Sequence, residues 1–124
     1  MQKVTGIGGV FFRAKAPQAL SEWYERNLGV DITARTWVQQ SGQTVFAPFS
    51  ADTDYFGRPE QQWMLCFRVD DLEAMAAQLE GNGIAVIHKE DWDSEVGIFA
   101  RIYDPEGNPI ELWQPSAQSA VLGG

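Results

Sequence analysis

Residues 101–115 read RIYDPEGNPIELWQP and carry the clearest local pattern of the chain. An apolar strand runs into the turn DPEGN, where proline fixes φ and glycine permits a positive φ. A second apolar strand follows, and it holds a single carboxylate, Glu111, between Ile110 and Leu112. Because side chains alternate along a strand, we expect Ile110 and Leu112 to pack beneath a helix and Glu111 to take the opposite face.

Outward from this stretch, the chain repeats one series of elements. The segment FFRAKAPQAL at 11–20 aligns without a gap with CFRVDDLEAM at 66–75, so that Arg13 matches Arg68 at an offset of 55 residues. Helical spacing of apolar residues predicts helices over 16–29 and 71–83. Runs of Val, Ile and aromatic residues predict strands at 4–15, 30–39, 43–49, 62–70, 84–89, 97–103 and 109–115.

The repeat predicts an α+β fold made of two βαβββ modules in one domain, residues 1–124. We place the first module at about 5–60 and the second at about 61–115, with a frayed tail at 116–124. The polar stretch 50–61 is expected to be a linker or long loop. One module leaves a sheet face uncovered, so the two are expected to pack together, with helices outside and a cup-shaped cavity inside.

Composition narrows the classes of partner. The 124 residues are 44% hydrophobic and include five Trp and seven Phe, enough for a core and an aromatic-lined cavity. A formal net charge of −8 repels phosphate backbones, so no nucleic acid partner is expected. The chain has no polybasic stretch and no apolar stretch long enough to span a membrane, so no membrane partner is expected. The first residues do not read as a signal peptide. The lone Cys66, in an apolar run, predicts a cytoplasmic protein with a buried thiol.

The duplicated modules, the opening GGVFFRAKAPQALSEWYERNLGV at 8–30 and the closing DPEGNPIELWQP at 104–115 together resemble the vicinal oxygen chelate superfamily. That superfamily includes glyoxalase I, bleomycin-resistance proteins, fosfomycin-resistance enzymes and extradiol dioxygenases. The likeness covers roughly residues 5–115. It implies paired βαβββ modules, a cup-shaped cavity and often a homodimer.

In metal-using members of that superfamily, a divalent ion is held by residues of the first and last strands of each module. Carried over by position, the last-strand carboxylate falls on Glu111, whereas the two first-strand positions fall on Met64 and Gly9. Glycine has no donor and a thioether is a poor ligand for hard or borderline cations. His88, the only histidine, lies outside these positions. We therefore expect no metal and no cofactor.

Strand alternation places the candidate site residues. Glu111 shares a face with Trp113, and Arg101 shares a face of the preceding strand with Tyr103. Glu111 and Tyr103 are the candidate catalytic residues, and the candidate ligand-binding residues are Phe11, Met64, Arg101 and Trp113. Two alternatives stay open: Glu111 either serves a ligand or pairs with an arginine such as Arg101, and Tyr103 is either a proton donor or a core residue.

These observations predict a small-molecule-binding protein of the glyoxalase and bleomycin-resistance type, a homodimer, with the ligand unknown. The alternative is a lyase-like or isomerase-like enzyme that uses Glu111 as a base or as the ligand of a weakly held divalent metal. The sequence leaves open whether the protein is catalytic, because a fold resemblance does not fix chemistry.

Overall fold

A computed structural model describes residues 1–33 and 35–117 of the chain. Its mixture of helices with a small sheet confirms the α+β class. No helix within these residues is long and apolar enough to cross a membrane. The elements in chain order are helix α1 (Pro17–Leu28), strand β1 (Leu65–Arg68), helix α2 (Leu72–Gly81), a short 3-10 helix (Glu90–Trp92), strand β2 (Gly97–Tyr103) and strand β3 (Pro109–Pro115).

The sheet is built from the second half of the chain in the order β1-β3-β2. β3 is central, parallel to β1 and antiparallel to β2. Of the strand predicted at 84–89, only an isolated bridge forms, in which Ile87 and Arg101 exchange two backbone hydrogen bonds of 2.9 and 2.8 Å. β3 therefore has partners on both sides, and the closing motif of the sequence forms the centre of the sheet.

Both helices cover one face of this sheet. The two residues that flank Glu111, Ile110 and Leu112, have no exposed surface, as the alternation predicted. The core cluster joins the two helices to the sheet and comprises Leu20, Trp23, Tyr24, Leu72, Leu79, Ala100, Ile102, Ile110 and Leu112. Burial of this apolar surface is the main favourable contribution to folding.

The helix ends follow the signals in the sequence. α1 starts at Pro17, which suits the first turn, and stops at Gly29, whose φ of 73° is left-handed. α2 is capped by Asp71, whose carboxylate accepts a 3.0 Å hydrogen bond from the Ala74 amide. Local chemistry was therefore sufficient to predict both helices.

The DPEGN turn ties α1 to the sheet. Asp104, which is buried, accepts hydrogen bonds from the Tyr24 hydroxyl at 2.7 Å and from the Asn108 side chain at 2.8 Å. Its other oxygen accepts from the amides of Glu106 and Asn108. The Glu106 carboxylate in turn accepts from the two amides that precede α1, those of Lys15 and Ala16, at 2.7 and 3.0 Å. One turn thus closes a hairpin and binds the chain just before α1 in the other half.

The first half departs from the prediction. None of the described residues in the predicted strands 4–15, 30–39 and 43–49 forms a strand. At 31–33 the Asp31 carboxylate accepts from the Thr33 amide, and Arg35 adopts a positive φ of 60°, which a strand does not accommodate. The other described residues of these segments form no backbone ladder with a strand. A strand forms only when a neighbouring strand can share a ladder of hydrogen bonds with it, and residue propensity alone does not supply that neighbour.

The end of the chain was predicted to fray from Ser116. Ser116 is held, because its amide donates to the Val96 carbonyl at 3.1 Å and its hydroxyl donates to the Glu95 carbonyl at 2.5 Å. The remainder of the predicted tail, 118–124, lies outside the described residues.

Candidate small-molecule site

Three side-chain positions face each other across the sheet on the side away from the helices. In the strand register, Cys66 of β1 lies opposite Glu111 of β3, and Glu111 lies opposite Arg101 of β2. We call these three residues the cross-strand row. The row puts a thiol, a carboxylate and a guanidinium on the face where alternation predicted Glu111.

Glu111 is half-buried and has a partner that the sequence did not reveal. It accepts a hydrogen bond from the hydroxyl of Tyr55, which lies 56 positions earlier in the chain. Within residues 1–33 and 35–117, no ion pair joins Glu111 to an arginine. The suggested pairing of Glu111 with Arg101 is therefore absent from the described residues, and a phenol takes that place.

Arg101 is buried, with 5% of its surface exposed, and is surrounded by aromatic rings. The rings of Tyr55, Trp92 and Tyr103 lie 4.9, 5.7 and 5.9 Å from its guanidinium carbon. Nη2 donates to the Tyr55 carbonyl at 2.8 Å and Nη1 donates to the Tyr103 hydroxyl at 3.4 Å. Its buried Nε has no hydrogen-bond partner among the described residues. An unpaired buried donor costs free energy, so this site has an unused recognition group.

Proton affinities around Glu111 are shifted. Burial, the hydrogen bond to Glu111 and the charge of Glu111 raise the pKa of Tyr55 to about 12, and Arg101 opposes part of that rise. Cys66 is exposed by surface area, which corrects the expected buried thiol. The atoms packed around its sulfur and the charge of Glu111 nevertheless raise its pKa. At neutral pH the Cys66 thiol of the row and the Tyr55 phenol beside it are therefore protonated.

A wide cleft of about 1520 Å³ borders β1 and reaches the row at Cys66. The extended segment 37–45 forms its other wall. The guanidinium of Arg68 bridges the two sides, since it donates to the Gln40 carbonyl at 3.0 Å and to the Gln43 carbonyl. The cleft is large enough for an organic ligand of moderate size.

The six residues named from the sequence do not all meet. Tyr103 lies against Arg101 with 41% of its surface exposed, and Met64 lines the cleft. Trp113 is buried, stacks on Phe99 at 6.1 Å and donates its indole N–H to the Val96 carbonyl, so its polar group already has a partner. Phe11 is 95% exposed, because the segment that carries it does not join the sheet.

Sequence reasoning missed Tyr55, Phe49 and Trp92. Residues 50–61 were interpreted as a polar linker, and the signal that could have corrected this is the aromatic pair Tyr55-Phe56 within it. A polar loop rarely needs two adjacent aromatic side chains unless they pack against something. Phe49 and Tyr55 do pack, with stacked rings 5.7 Å apart at 20°.

The donors do not fit a divalent metal. Within the two described ranges, no group of three or more His, Cys, Asp and Glu side chains is close enough to hold an ion. Among the described residues, the neighbours of Glu111 in the register and by hydrogen bond are Cys66, Arg101 and Tyr55, and an arginine is not a metal donor. Neither Met64 nor Gly9 supplies a hard donor. No chemical step is therefore assigned to a metal here.

Comparison with known proteins gives the same family as the residues. A family model described as "Glyoxalase-like domain" matches residues 9–113, which is most of the chain. The chain belongs to the glyoxalase-like domain family. No curated protein is significantly similar to it in sequence.

The solved structures that resemble this glyoxalase-like chain include two from one Streptomyces strain. TnmS3, an antibiotic-binding protein from Streptomyces sp. CB03234, is 26% identical, with a TM-score of 0.63, over 94% of this chain and 100% of its own. A glyoxalase/bleomycin resistance protein, also from Streptomyces sp. CB03234, is 28% identical, with a TM-score of 0.51, over 81% of this chain and 92% of its own. An integron cassette protein from the mobile metagenome of Halifax Harbour sewage outfall is 21% identical, with a TM-score of 0.55, over 90% and 99%, and shows the fold alone.

Proposed function

We propose that this glyoxalase-like protein binds a small organic molecule on the face that carries the cross-strand row, without converting it. The supporting observation is the buried guanidinium of Arg101 among aromatic rings, beside a half-buried Glu111 and next to a cleft of about 1520 Å³. An apolar, aromatic lining with a few placed polar groups is typical of a ligand site. TnmS3 binds an antibiotic, so antibiotics are the first class to test.

The test is a thermal-shift screen of antibiotics and related natural products against the purified protein. A ligand that binds only the native state at 100 times its Kd raises stability by about 2.7 kcal/mol. The shift should shrink in Glu111→Gln, which keeps the shape and removes the charge, and persist in Glu95→Gln, the same change at an exposed position. Equal shifts in both variants would contradict binding at the row.

The absence of a metal requirement is a separate proposal. EDTA should leave the melting temperature and any ligand-induced shift unchanged, because the residues beside Glu111 cannot complete a metal site. A loss of several degrees that Zn²⁺ or Ni²⁺ restores would instead favour the enzyme alternative, with Glu111 as a metal ligand. Elemental analysis of the purified protein gives an independent reading.

We also propose a homodimer in which the two predicted modules, 5–60 and 61–115, complete a cup. Eleven of the fourteen exposed large hydrophobic side chains described for the chain lie within its first 49 residues. Exposed apolar surface on this scale indicates an interaction surface. β1 also pairs on one side only among the described residues, so it offers a free strand edge.

Light scattering at micromolar concentration tests the dimer. We expect a mass of two chains for the wild type and of one chain for Phe46→Glu, which places a charge among these exposed apolar residues. Ala77→Glu, an equal change on the exposed side of α2, should leave the mass unchanged. A wild-type mass of one chain would refute the proposal.

We also propose a reducing, cytoplasmic location and no nucleic acid partner, which fit the lone cysteine and the charge of −8.

A further inference from the structure

The side chain of Tyr55 is held as a bound ligand would be held. Its ring lies against the Arg101 guanidinium at 4.9 Å, stacks on Phe49 at 5.7 Å and meets the edge of Trp92 at 6.2 Å and 78°. Its hydroxyl donates to the carboxylate of Glu111. A cation on the ring, a stacked aromatic ring and an acceptor at the hydroxyl together recognise a phenol.

Tyr55 reaches this place on a segment with no helix or strand. The hydrogen bonds that shape the segment are local, such as Thr53 amide to Ser50 carbonyl and Gly57 amide to Asp54 carbonyl, both at 3.0 Å. Among the described residues, the hydrogen bonds from 50–60 to the sheet are those of the Tyr55 hydroxyl and carbonyl. Displacing the Tyr55 side chain therefore breaks no strand pairing, and the carbonyl of Tyr55 is the segment's other hydrogen bond to the sheet.

Tyr55 also leaves the site incompletely satisfied. Arg101 is 5% exposed, yet its buried Nε has no acceptor among the described residues. A ligand that donates to Glu111 and also presents an acceptor to Nε satisfies a buried donor that Tyr55 leaves unpaired. Such a difference is what lets a ligand shift the population of one state over another.

We infer that Tyr55 is an internal occupant of a phenol-binding site, and that the ligand is a hydroxylated aromatic compound that displaces it. This inference rests on the proposed small-molecule binding and specifies its chemistry. The aromatic ring of the ligand takes the contacts of the Tyr55 ring with Arg101 and Phe49, and its hydroxyl donates to Glu111. The protein then selects a hydroxylated ring over one whose hydroxyl is absent or methylated, because only a donor satisfies the carboxylate.

The first test removes the Tyr55 side chain by mutation and adds a small phenol that can bind in its place. Tyr55→Ala opens a gap of the shape of p-cresol, and calorimetric titration should give p-cresol at least about tenfold tighter binding than toluene, the size of effect expected for a hydrogen bond to a carboxylate. In Tyr55→Ala with Glu111→Gln, the preference should fall several-fold, because the amide oxygen of glutamine accepts only a weaker, uncharged hydrogen bond. Phe56→Ala, a matched cavity one residue further along the segment, should show no such preference. A folded Tyr55→Ala that binds neither probe, or both equally, overturns the inference.

The second test uses the wild type and so does not depend on a variant that folds. Chymotrypsin cleaves after aromatic residues, and Tyr55 should be protected while it lies on Arg101. 2-Naphthol should speed cleavage after Tyr55 several-fold, whereas 2-methoxynaphthalene, which cannot donate, should leave the rate unchanged. No acceleration by saturating 2-naphthol overturns the inference.

The two proposals fail in different ways. A ligand from the thermal-shift screen that stabilises the wild type and Tyr55→Ala equally, and leaves cleavage at Tyr55 unchanged, supports small-molecule binding and overturns the phenol site. A ligand whose affinity rises several-fold in Tyr55→Ala, and that protects Trp92 fluorescence from quenching, supports both.

Discussion

The two halves of this chain start from similar sequences and reach different structures. Phe67 and Arg68 belong to a strand that pairs with β3, whereas Phe12 and Arg13, at the matching positions, belong to an extended segment with no neighbouring strand. The Arg68 guanidinium donates to two carbonyls of the segment 37–45 across the cleft. Arg13 has no ion pair or hydrogen bond to the described residues. The comparison shows that a repeated sequence forms a helix from local signals in both halves. It forms a strand only in the half where the edge of another strand is available for pairing.

Packing separates the halves as clearly as hydrogen bonding does. Leu112, at the centre of the sheet, is completely buried, whereas Phe46 of the first half is 85% exposed. Large-to-small changes in a close-packed core lose both transfer energy and the contacts around the cavity. The same change at an exposed position loses little, unless another chain covers it.

The largest expected effect tests this contrast directly. Leu112→Ala should lower the free energy of unfolding by about 2–5 kcal/mol in urea denaturation. Phe46→Ala should cost less than about 0.5 kcal/mol in a monomer, the usual range for exposed positions. If the homodimer forms, the cost of Phe46→Ala should instead increase with protein concentration. A large cost that is independent of concentration would show that Phe46 packs within its own chain.

The connection between the halves should give the next largest effect. Asp104→Ala leaves the buried hydroxyl of Tyr24 without its acceptor and removes the bonds that shape the DPEGN turn, so stability should fall by about 1–3 kcal/mol. Asp52→Ala, at an exposed loop position, serves as the control and should change little. Chemical denaturation of both variants measures the difference. Equal costs would mean that the turn does not hold α1 on the sheet.

A smaller effect is expected at the cap of α1. Glu106→Gln keeps one acceptor for the Lys15 and Ala16 amides but removes the charge that favours a helix N-terminus, so it should cost about 0.5–1 kcal/mol. High salt should reduce this cost, because the lost term is partly electrostatic. Glu95→Gln is the matched exposed control. A cost that salt leaves unchanged would assign the effect to geometry alone.

The smallest effect is the pH dependence of the stability that Tyr55 contributes from the loop 50–60 between the halves. The native state holds the Tyr55 proton more tightly than the unfolded chain, since its pKa rises from 10.0 to about 12. That contribution to stability is fully present below about pH 10 and is lost as pH rises through about 12. The stability difference between wild type and Tyr55→Phe should therefore shrink over this window. A difference that stays constant from pH 9 to 12 would contradict the hydrogen bond to Glu111.

Much of the site was accessible from the sequence because it depends on strand alternation. The fully buried pair Ile110 and Leu112 fixed which face β3 turns to the helices, and Glu111 followed by the period of two. Arg101 came onto the same face because β2 and β3 are joined by a short turn that sets their register. Phe11 could not be placed in this way, since alternation predicts a face only for a segment that joins a sheet.

Only the tertiary structure brought Tyr55 and Trp92 to the row. Both lie outside strands and α-helices, where no periodicity relates one residue to another, and Tyr55 meets Glu111 across 56 positions of chain. The same limit explains the missing strands of the first half. Their residues favour extended backbone, but a ladder requires a second edge at the right place.

The sequence by itself determined the two helices, the DPEGN turn between two strands and the side of the sheet on which Glu111 lies. These features follow from interactions between residues close in sequence, or from the separation of apolar and polar side chains along one element. The tertiary structure alone decided that Glu111 accepts a hydrogen bond from a phenol, that Arg101 keeps a buried donor without an acceptor among the described residues, and that the described residues of the first half form no strand. Those outcomes depend on which distant groups meet and which are left unpaired, and the free energy of each contact includes the cost of ordering the chain between them.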